Sequence, residues 1–545
     1  MEAKRLAWLK QREHTPEKIM LARKVLEEVR AGRNVAEAIR RFPLEDGGYV
    51  GKHMLVSVYR QLLDSGEWTE DEKLLQRIRM KPVRTLSGVT TVTALTKPYP
   101  CPGKCIFCPT DVRMPKSYLP DEPGARRGLD HNFDPYAQVW SRLEALEAVG
   151  HPTQKIELLI LGGTWSAYRK DYQEWFVKRC FDALNQVELE TLEAVQKYNE
   201  TALHRCVGLV IETRPDKIRL RELRWLRYLG VTKIQMGVQS LNDQILALNQ
   251  RGHDVAAVRR AVQLIRAAGF KIVLHWMPNL LGATLESDRR DFSQLWEELC
   301  PDEIKIYPTQ LLENAELYQF WLAGKYQPYS TQELVDLIAD VKTTIPRYCR
   351  VNRVIRDIPS TYVVEGNKRT SLRQDVQDKM RRRGTKCQCI RCREIRAQKV
   401  NPAKLRLDQL TYLAGAFSED FISFVTEDDR IAGFLRLSLP GLDAPETGIS
   451  DLKSAAIIRE VHVYGQSIQL GGDGARAAQH QGLGTRLIRE AETIARKHGF
   501  PRLAVIAAIG TRRYYRRLGF KNGELYMIKE LGGGEAPVKN KGDCD

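Results

Sequence analysis

The chain has 545 residues, a length at which one core usually divides into two to four domains. Hydrophobic residues make up 43% and charged residues 28%, which excludes a collagen-like, mostly coiled-coil or wholly disordered chain. A net charge of +17, with 17 Lys/Arg against 5 Asp/Glu between 341 and 400, points to a polyanionic partner.

A membrane surface is the rival partner, but no basic helix with a strong apolar face accompanies the cluster. No run of 18 apolar residues occurs, and no apolar stretch follows Met1-Glu2-Ala3-Lys4-Arg5. The expected location is therefore cytoplasmic. The 11 cysteines are odd in number, which in such a chain argues against a disulfide framework.

Residues 1–80 read as helical. Apolar residues recur at helical spacing through Ile19–Leu26 and Met54–Tyr59, and Asn34–Ile39 reads as a further helix before Pro43 and Gly47-Gly48 break it. From about 81 to 345, strands alternate with helices. The strand runs are Val89–Leu95, Ile156–Leu161, Val207–Glu212, Lys233–Val238, Lys271–Trp276 and Glu303–Tyr307. Near-continuous apolar strands separated by helices imply a parallel sheet covered by helices. Six units make an open, partial (β/α)6 barrel, with functional groups expected at the C-terminal ends of the strands. Lys271 and Lys305 sit on these strands as candidate catalytic groups, the alternative for a strand-end lysine being solvation or an ion pair.

Residues 346–400 read as a basic connector bearing cysteines. From 401 to 545 an α+β domain is expected, with a hairpin of Phe421–Val425 and Ile431–Leu437 around Asp428-Asp429-Arg430. A third strand at Ala456–Val463, a helix at Leu483–His498 and a strand at Leu503–Ala508 follow.

Two cysteine triplets carry chemistry. Cys101-Pro-Gly-Lys-Cys105-Ile-Phe-Cys108 follows the first strand, where a barrel places its reactive groups. Three thiolates on one loop can hold three irons of a 4Fe-4S cluster and leave the fourth open. The spacing and position resemble the radical S-adenosylmethionine superfamily. In that resemblance the open iron chelates S-adenosylmethionine, and an electron from the cluster yields a 5′-deoxyadenosyl radical. Related enzymes use Gly-Gly-Glu after the second strand to bind the methionine amino group; here Gly162, Gly163 and Thr164 stand there, with Thr164 in place of the acid. Glu212 and Gln239, at the ends of the third and fourth strands, are the nucleoside contacts expected.

The second triplet, Cys387, Cys389 and Cys392, lies in the basic connector and suits zinc. The fourth ligand is open between Cys349, His275 and His253.

Gln479-His-Gln-Gly482-Leu-Gly484-Thr485 matches Q-x-x-G-x-G between a strand and a helix. Glycines let the backbone approach a pyrophosphate, and the helix start offers free N–H groups to it. With Gly510–Phe520 downstream it resembles the GNAT acetyltransferase fold, which binds acetyl-CoA. There a tyrosine, Tyr514 or Tyr515 here, protonates the departing thiolate. Glu460 or His462 is the candidate base.

The combination resembles the catalytic subunit of Elongator and its single-chain bacterial and archaeal relatives. The likeness rests on Lys81–Thr90, Met114–Leu119, Phe133–Tyr136, Ile211–Asp216, Gln235–Ser240 and the run from Gln479 to Phe520, in that order. It implies tRNA modification. The acetyltransferase domain delivers acetyl-CoA, the radical takes hydrogen from the acetyl methyl, and the carbon radical adds to C5 of the wobble uridine, giving a carboxymethyl-type group. The basic connector and the N-terminal helices would grip the anticodon arm. A homodimer or accessory subunits fit the resemblance; DNA and membranes do not. The rival reading, a lysine acetyltransferase acting on proteins such as histones, leaves the first cysteine triplet without a role.

Overall fold

A computed structural model describes residues 13–396, 398, 400–465 and 482–532. Among the described residues four helices come first: Pro16–Arg30, Val35–Arg40, Lys52–Asp64 and Glu72–Ile78. Thr15, Asn34 and Asp71 cap three of them by accepting from first-turn backbone N–H groups. Their apolar stripes meet in a core of their own, with Val25, Leu26, Met54, Leu55 and Tyr59 at its centre.

The next region is a parallel sheet in strict chain order: β1 Thr90–Leu95, β2 Lys155–Leu161, β3 Arg205–Thr213, β4 Lys233–Gln239, β5 Lys271–Trp276, β6 Glu303–Ile306 and β7 Arg350–Val354. Sequential parallel strands joined by helical crossovers curl one way, which gives an open half-barrel. Val92, Leu158, Phe176, Phe181, Ile211, Met236 and Trp276 belong to the large core shared by strands and helices.

The sheet has one strand more than the six-strand reading. β7 falls at 350–354, inside the stretch read as a connector. Its sequence, Arg-Val-Asn-Arg-Val, carries polar side chains that the barrel interior pairs: Asn352 donates to Glu303 (2.5 Å) and Arg350 to Glu394 (2.9 Å). Charge hid the strand.

The C-terminal sheet runs β13-β14-β12-β11-β10-β9-β8. Its strands are β8 Arg406–Leu413, β9 Phe417–Val425, β10 Ile431–Pro440, β11 Ala455–Val463, β12 Arg502–Val505, β13 Lys521–Asn522 and β14 Met527–Glu530. The β9–β10 hairpin turns at Asp429, with φ 63°. β11 and β12 pair in parallel through Ala455–Ile458 and Arg502–Val505, and the remainder of β11 runs on beyond its partner. The helix Leu483–Lys497 covers this sheet.

The two sheets are tied by buried ion pairs. Arg459 on β11 makes two 2.7 Å bonds to Asp302, just before β6, and one of 2.7 Å to Glu419 on β9. Arg459, Asp302 and Glu419 are almost wholly excluded from solvent. No described helix is long and apolar enough to cross a membrane.

Candidate functional site

One cavity of about 1070 Å³ occupies the barrel interior and continues into the C-terminal domain. The starts of the strands contribute Glu157, Lys233, Lys271, Glu303 and Arg350 to its wall; their ends contribute Glu212, Gln239, Met277 and Arg356. Phe107 and Cys108 of the first cysteine loop line it too. From the C-terminal domain come Phe434, Glu460, His462, Ala508 and Tyr515.

The first triplet follows β1. Arg251 Nη1 lies 3.3 Å from Cys105 Sγ. Arg214 packs so tightly on the loop that a Cβ at Gly103 would meet its Nη1 at 2.2 Å. The Cys105 thiol is pushed down to about 5, chiefly by its hydrogen bond with Cys108, with Arg251 adding to it against the opposing effect of burial. A thiol held as thiolate beside two guanidiniums is the form that ligates iron. This donor set fits an iron–sulfur cluster.

The residues expected around S-adenosylmethionine gather here. Cys101 Sγ lies 3.7 Å from Thr164 Oγ1. Gly162 has φ 140°, and a Cβ on it would overlap Thr96 Oγ1, so only glycine fits. Glu212 accepts from Tyr118 (3.1 Å) and lies 3.4 Å from His275 Nδ1. Burial and Lys305 hold His275 well below the usual histidine range. Gln239 is held at φ 74°, and its buried Oε1 has no hydrogen-bond partner. An orphaned buried acceptor on a cavity wall fits a ligand donor.

At the other end, Gly482 starts the helix Leu483–Lys497 with φ 72°. A Cβ on Gly484 would reach Tyr514 Oη at 2.6 Å, so this glycine lets the tyrosine close on the helix start. Tyr514 is hydrogen-bonded to Thr485, and burial pushes its phenol up. Tyr515 is buried, lies edge-on to Tyr514 with ring centres 5.3 Å apart, and faces the cavity. Gln479 lies outside the described residues.

Between the two ends stands a ladder of alternating charges. Lys233 pairs with Glu157 (2.6 Å) and Glu303 (3.4 Å), and Lys271 with Glu303 (2.6 Å) and Glu460. Arg436 closes it on Glu460 at 2.9 Å. Burial opposes ionisation of Glu460, yet Lys271 and Arg436 hold it below the usual carboxylate range. His462, beside it, is neutral: burial brings its ring down to about 4.

The comparisons with known proteins agree with this geometry. The radical SAM superfamily matches residues 99–293, its C-terminal domain 301–382, and the acetyltransferase (GNAT) family 392–520. A tRNA uridine(34) acetyltransferase of Methanocaldococcus infernus is 42% identical over 85% of this chain and 90% of its own. One of Dehalococcoides mccartyi is 43% identical over 82% of this chain and 99% of its own. The chain belongs to the tRNA uridine(34) acetyltransferase family. Human Elongator complex protein 3 is 36% identical over 84% of the chain and 87% of its own length. The solved structure of M. infernus Elp3 lacking residues 1–46 superposes with a TM-score of 0.71 at 38% identity, covering 82% of this chain and all of that one. The protein is thus a radical SAM enzyme with an acetyltransferase domain.

Within this family member, the second triplet is also assembled. The Sγ atoms of Cys387, Cys389 and Cys392 lie within 4.8 Å of one another. Metal–sulfur bonds of about 2.3 Å in a tetrahedron set sulfurs about 3.8 Å apart, so the group fits a zinc ion. Among the described residues, Cys349, His275 and His253 do not join this group. Cys349 supports it through the backbone, its carbonyl accepting from Ile390 N (2.9 Å).

Sequence reasoning gave no role to Arg251 or Arg214, and it named Glu460 and Lys271 separately without the ladder that joins them. Arg214 lies in the Ile211–Asp216 motif, a signal that was present. Arg251 and the ladder come from separate strands and loops, and only folding brings them together.

Proposed function

We propose that the chain uses acetyl-CoA to build a carboxymethyl-type group on C5 of the wobble uridine of tRNA, in the cytoplasm. The observation that carries this reading is the single cavity walled by Cys108 at one end and by Glu460 and Tyr515 at the other. A chain with two unrelated activities would have no reason to open both sites into one space. The names of the relatives supply the substrate class.

Cys101, Cys105 and Cys108 hold the cluster, which when bound supplies the electron that generates a 5′-deoxyadenosyl radical from S-adenosylmethionine. Arg251 and Arg214 offset the thiolate charge at the loop. Gly162, Gly163 and Thr164 seat the methionine end, and Glu212 with the unpartnered Gln239 acceptor seats the nucleoside.

Gly482, Gly484 and Thr485 hold the acetyl-CoA pyrophosphate at a helix start, and Gln479 of the same sequence motif is assigned to acetyl-CoA with them. Burial keeps the Tyr514 and Tyr515 phenols protonated, so either has a proton for the departing CoA thiolate. Glu460, kept ionised by two cations and facing the cavity, accepts the proton of the water that cleaves the thioester.

Zinc at Cys387, Cys389 and Cys392 fixes the connector. Arg391 and Arg396, next to it on the cavity wall, meet RNA phosphates together with the N-terminal helices. The N-terminal helices, the barrel through β7, the cysteine-bearing connector after it and the C-terminal domain divide this labour.

Exchanging Cys105→Ala tests the reading. The variant is expected to form no 5′-deoxyadenosine and no modified uridine, while still binding acetyl-CoA. If the variant modifies tRNA at the wild-type rate, the reading fails. Acetylation of protein lysines at an undiminished rate, with tRNA untouched by either protein, would favour the lysine acetyltransferase instead.

A further inference from the structure

Lys342 lies in the last turn of the helix Thr331–Thr343, which runs between β6 and β7. It shares the buried face of that helix with Val335, Ile338 and Val341, a pattern that calls for an apolar side chain. The lysine is only 1% exposed, and its Nζ has no hydrogen-bond partner among the described residues. A buried ammonium is costly unless something negative faces it.

The carboxylates of this region are engaged by other cations. On the same helix, Asp336 holds Lys379 (2.7 Å), and Asp340 holds Arg289 (2.8 Å) and Arg383 (2.7 Å). Just after the second cysteine triplet, Glu394 holds Arg350 (2.9 Å). What Lys342 faces is the triplet itself. The chain passes from the helix end to Cys349, whose carbonyl accepts from Ile390 N (2.9 Å), and this sets the turn from Cys387 to Cys392 beside it. The Cys392 thiol stands above the usual thiol range: its bond with Cys387 lowers it, its bond with Cys389 and burial raise it, and the Lys342 charge pulls it down. Arg373, on the next helix Leu372–Arg382, also faces Cys389 and Cys392, but it donates to the Val351 carbonyl (3.4 Å). Arg391, in the triplet's own turn, is half-buried and faces Cys389.

Three thiolates and a zinc dication together carry one net negative charge. We propose that Lys342 is the charge partner of that site: its ammonium offsets the charge of the zinc tris-thiolate group and draws the cysteine-bearing connector onto the barrel helix Thr331–Thr343. The inference rests on the zinc assigned above to Cys387, Cys389 and Cys392, and it adds a residue from a separate helix that holds the metal in place. Lys342 acts as a positioning residue. The metal site supplies the negative group that a buried lysine needs, and the lysine slows loss of the metal. Where zinc is not bound, the tris-thiolate anion is not assembled and the ammonium lacks a counter-charge.

The test uses the full-length protein without oxygen, its iron–sulfur cluster reconstituted so that iron occupies the first triplet. Release of zinc is read as exchange with isotopically enriched zinc in solution, by mass spectrometry of the bound metal. Lys342→Met keeps the volume and removes the charge, and it is expected to speed exchange by about tenfold or more. Lys342→Arg keeps the charge and cannot ligate a metal, and it should exchange more slowly than Lys342→Met. Urea midpoints give a second readout. With zinc bound, Lys342→Met should lower the midpoint. In a Cys389→Ser background that holds no zinc, the same exchange should raise it, because it removes a buried ammonium without a counter-charge. A lysine that only fills space would move both midpoints the same way. Equal exchange rates in wild type and Lys342→Met overturn the proposal. So do midpoint shifts of one sign, and exchange as fast in Lys342→Arg as in Lys342→Met. Wild-type protein that takes up no zinc would instead overturn the metal assignment beneath it.

Discussion

Replacing Asp302 with Ala should break the joint between the two catalytic domains. The Asp302 carboxylate takes two 2.7 Å bonds from Arg459 and one of 2.8 Å from Ile272 N, and it lies 3.4 Å from Arg436 Nη1. Asp302, Arg459 and Arg436 are all buried, so none can turn to water for compensation. Removing one partner of such a pair costs about 3–5 kcal/mol, because the remaining charge stays buried. Glu419 still holds Arg459 at 2.7 Å, which places the expected loss near the lower end, about 3 kcal/mol. With a urea slope of about 3 kcal/mol/M, the unfolding midpoint of the acetyltransferase half should drop by about 1 M. Asp302→Asn, which keeps the shape and one acceptor, should lose less. A midpoint shift below about 0.2 M for Asp302→Ala would refute the reasoning, since it would mean that the arginines are compensated elsewhere.

Gly484→Ala should weaken acetyl-CoA binding at least tenfold by calorimetry, because the added methyl meets Tyr514 Oη at 2.6 Å and forces the ring off the helix start. His462, packed against Phe434 and Tyr464 and facing Glu460, Lys271, Arg350 and Glu157, titrates at about 4. Its folded value is below the unfolded value of about 6.5, so its contribution is complete above pH 6.5 and is lost as pH falls toward 4, by at most about 3 kcal/mol. His462→Gln should flatten denaturation midpoints across that window, and an unchanged slope would show that the ring is already solvated. Cys389→Ser should remove one equivalent of zinc by elemental analysis and leave cluster iron in place; retention of the zinc would move the site elsewhere.

Much of the fold was legible because burial and sequence pattern coincide. The first six barrel strands are apolar runs between helices, and the helix Leu483–Lys497 and the Asp428-Asp429-Arg430 hairpin carry their own signals. β7 was not legible because its charges face a polar interior. β8, an edge strand with much of its length exposed, lacks the apolar run that betrays a buried strand. At the site, the motifs located both cysteine triplets, the glycines and the tyrosine pair. Glu460 was legible as a candidate base on a strand, but not its partners. That Lys271 from β5 and Arg436 from β10 flank it depends on how two domains dock, and no local pattern encodes that. The same holds for Arg251, whose guanidinium reaches Cys105 across 146 residues of chain.

The measurement that bears most directly on the central claim follows one methyl group. Holoenzyme, S-adenosylmethionine, a reductant, tRNA and acetyl-CoA bearing a deuterated, carbon-13-labelled acetyl methyl would be combined without oxygen. Nucleosides and 5′-deoxyadenosine would then be analysed by mass spectrometry. The account predicts the labelled carbon on C5 of the wobble uridine and one deuterium in 5′-deoxyadenosine. Label confined to protein lysines, or 5′-deoxyadenosine without deuterium, would contradict it.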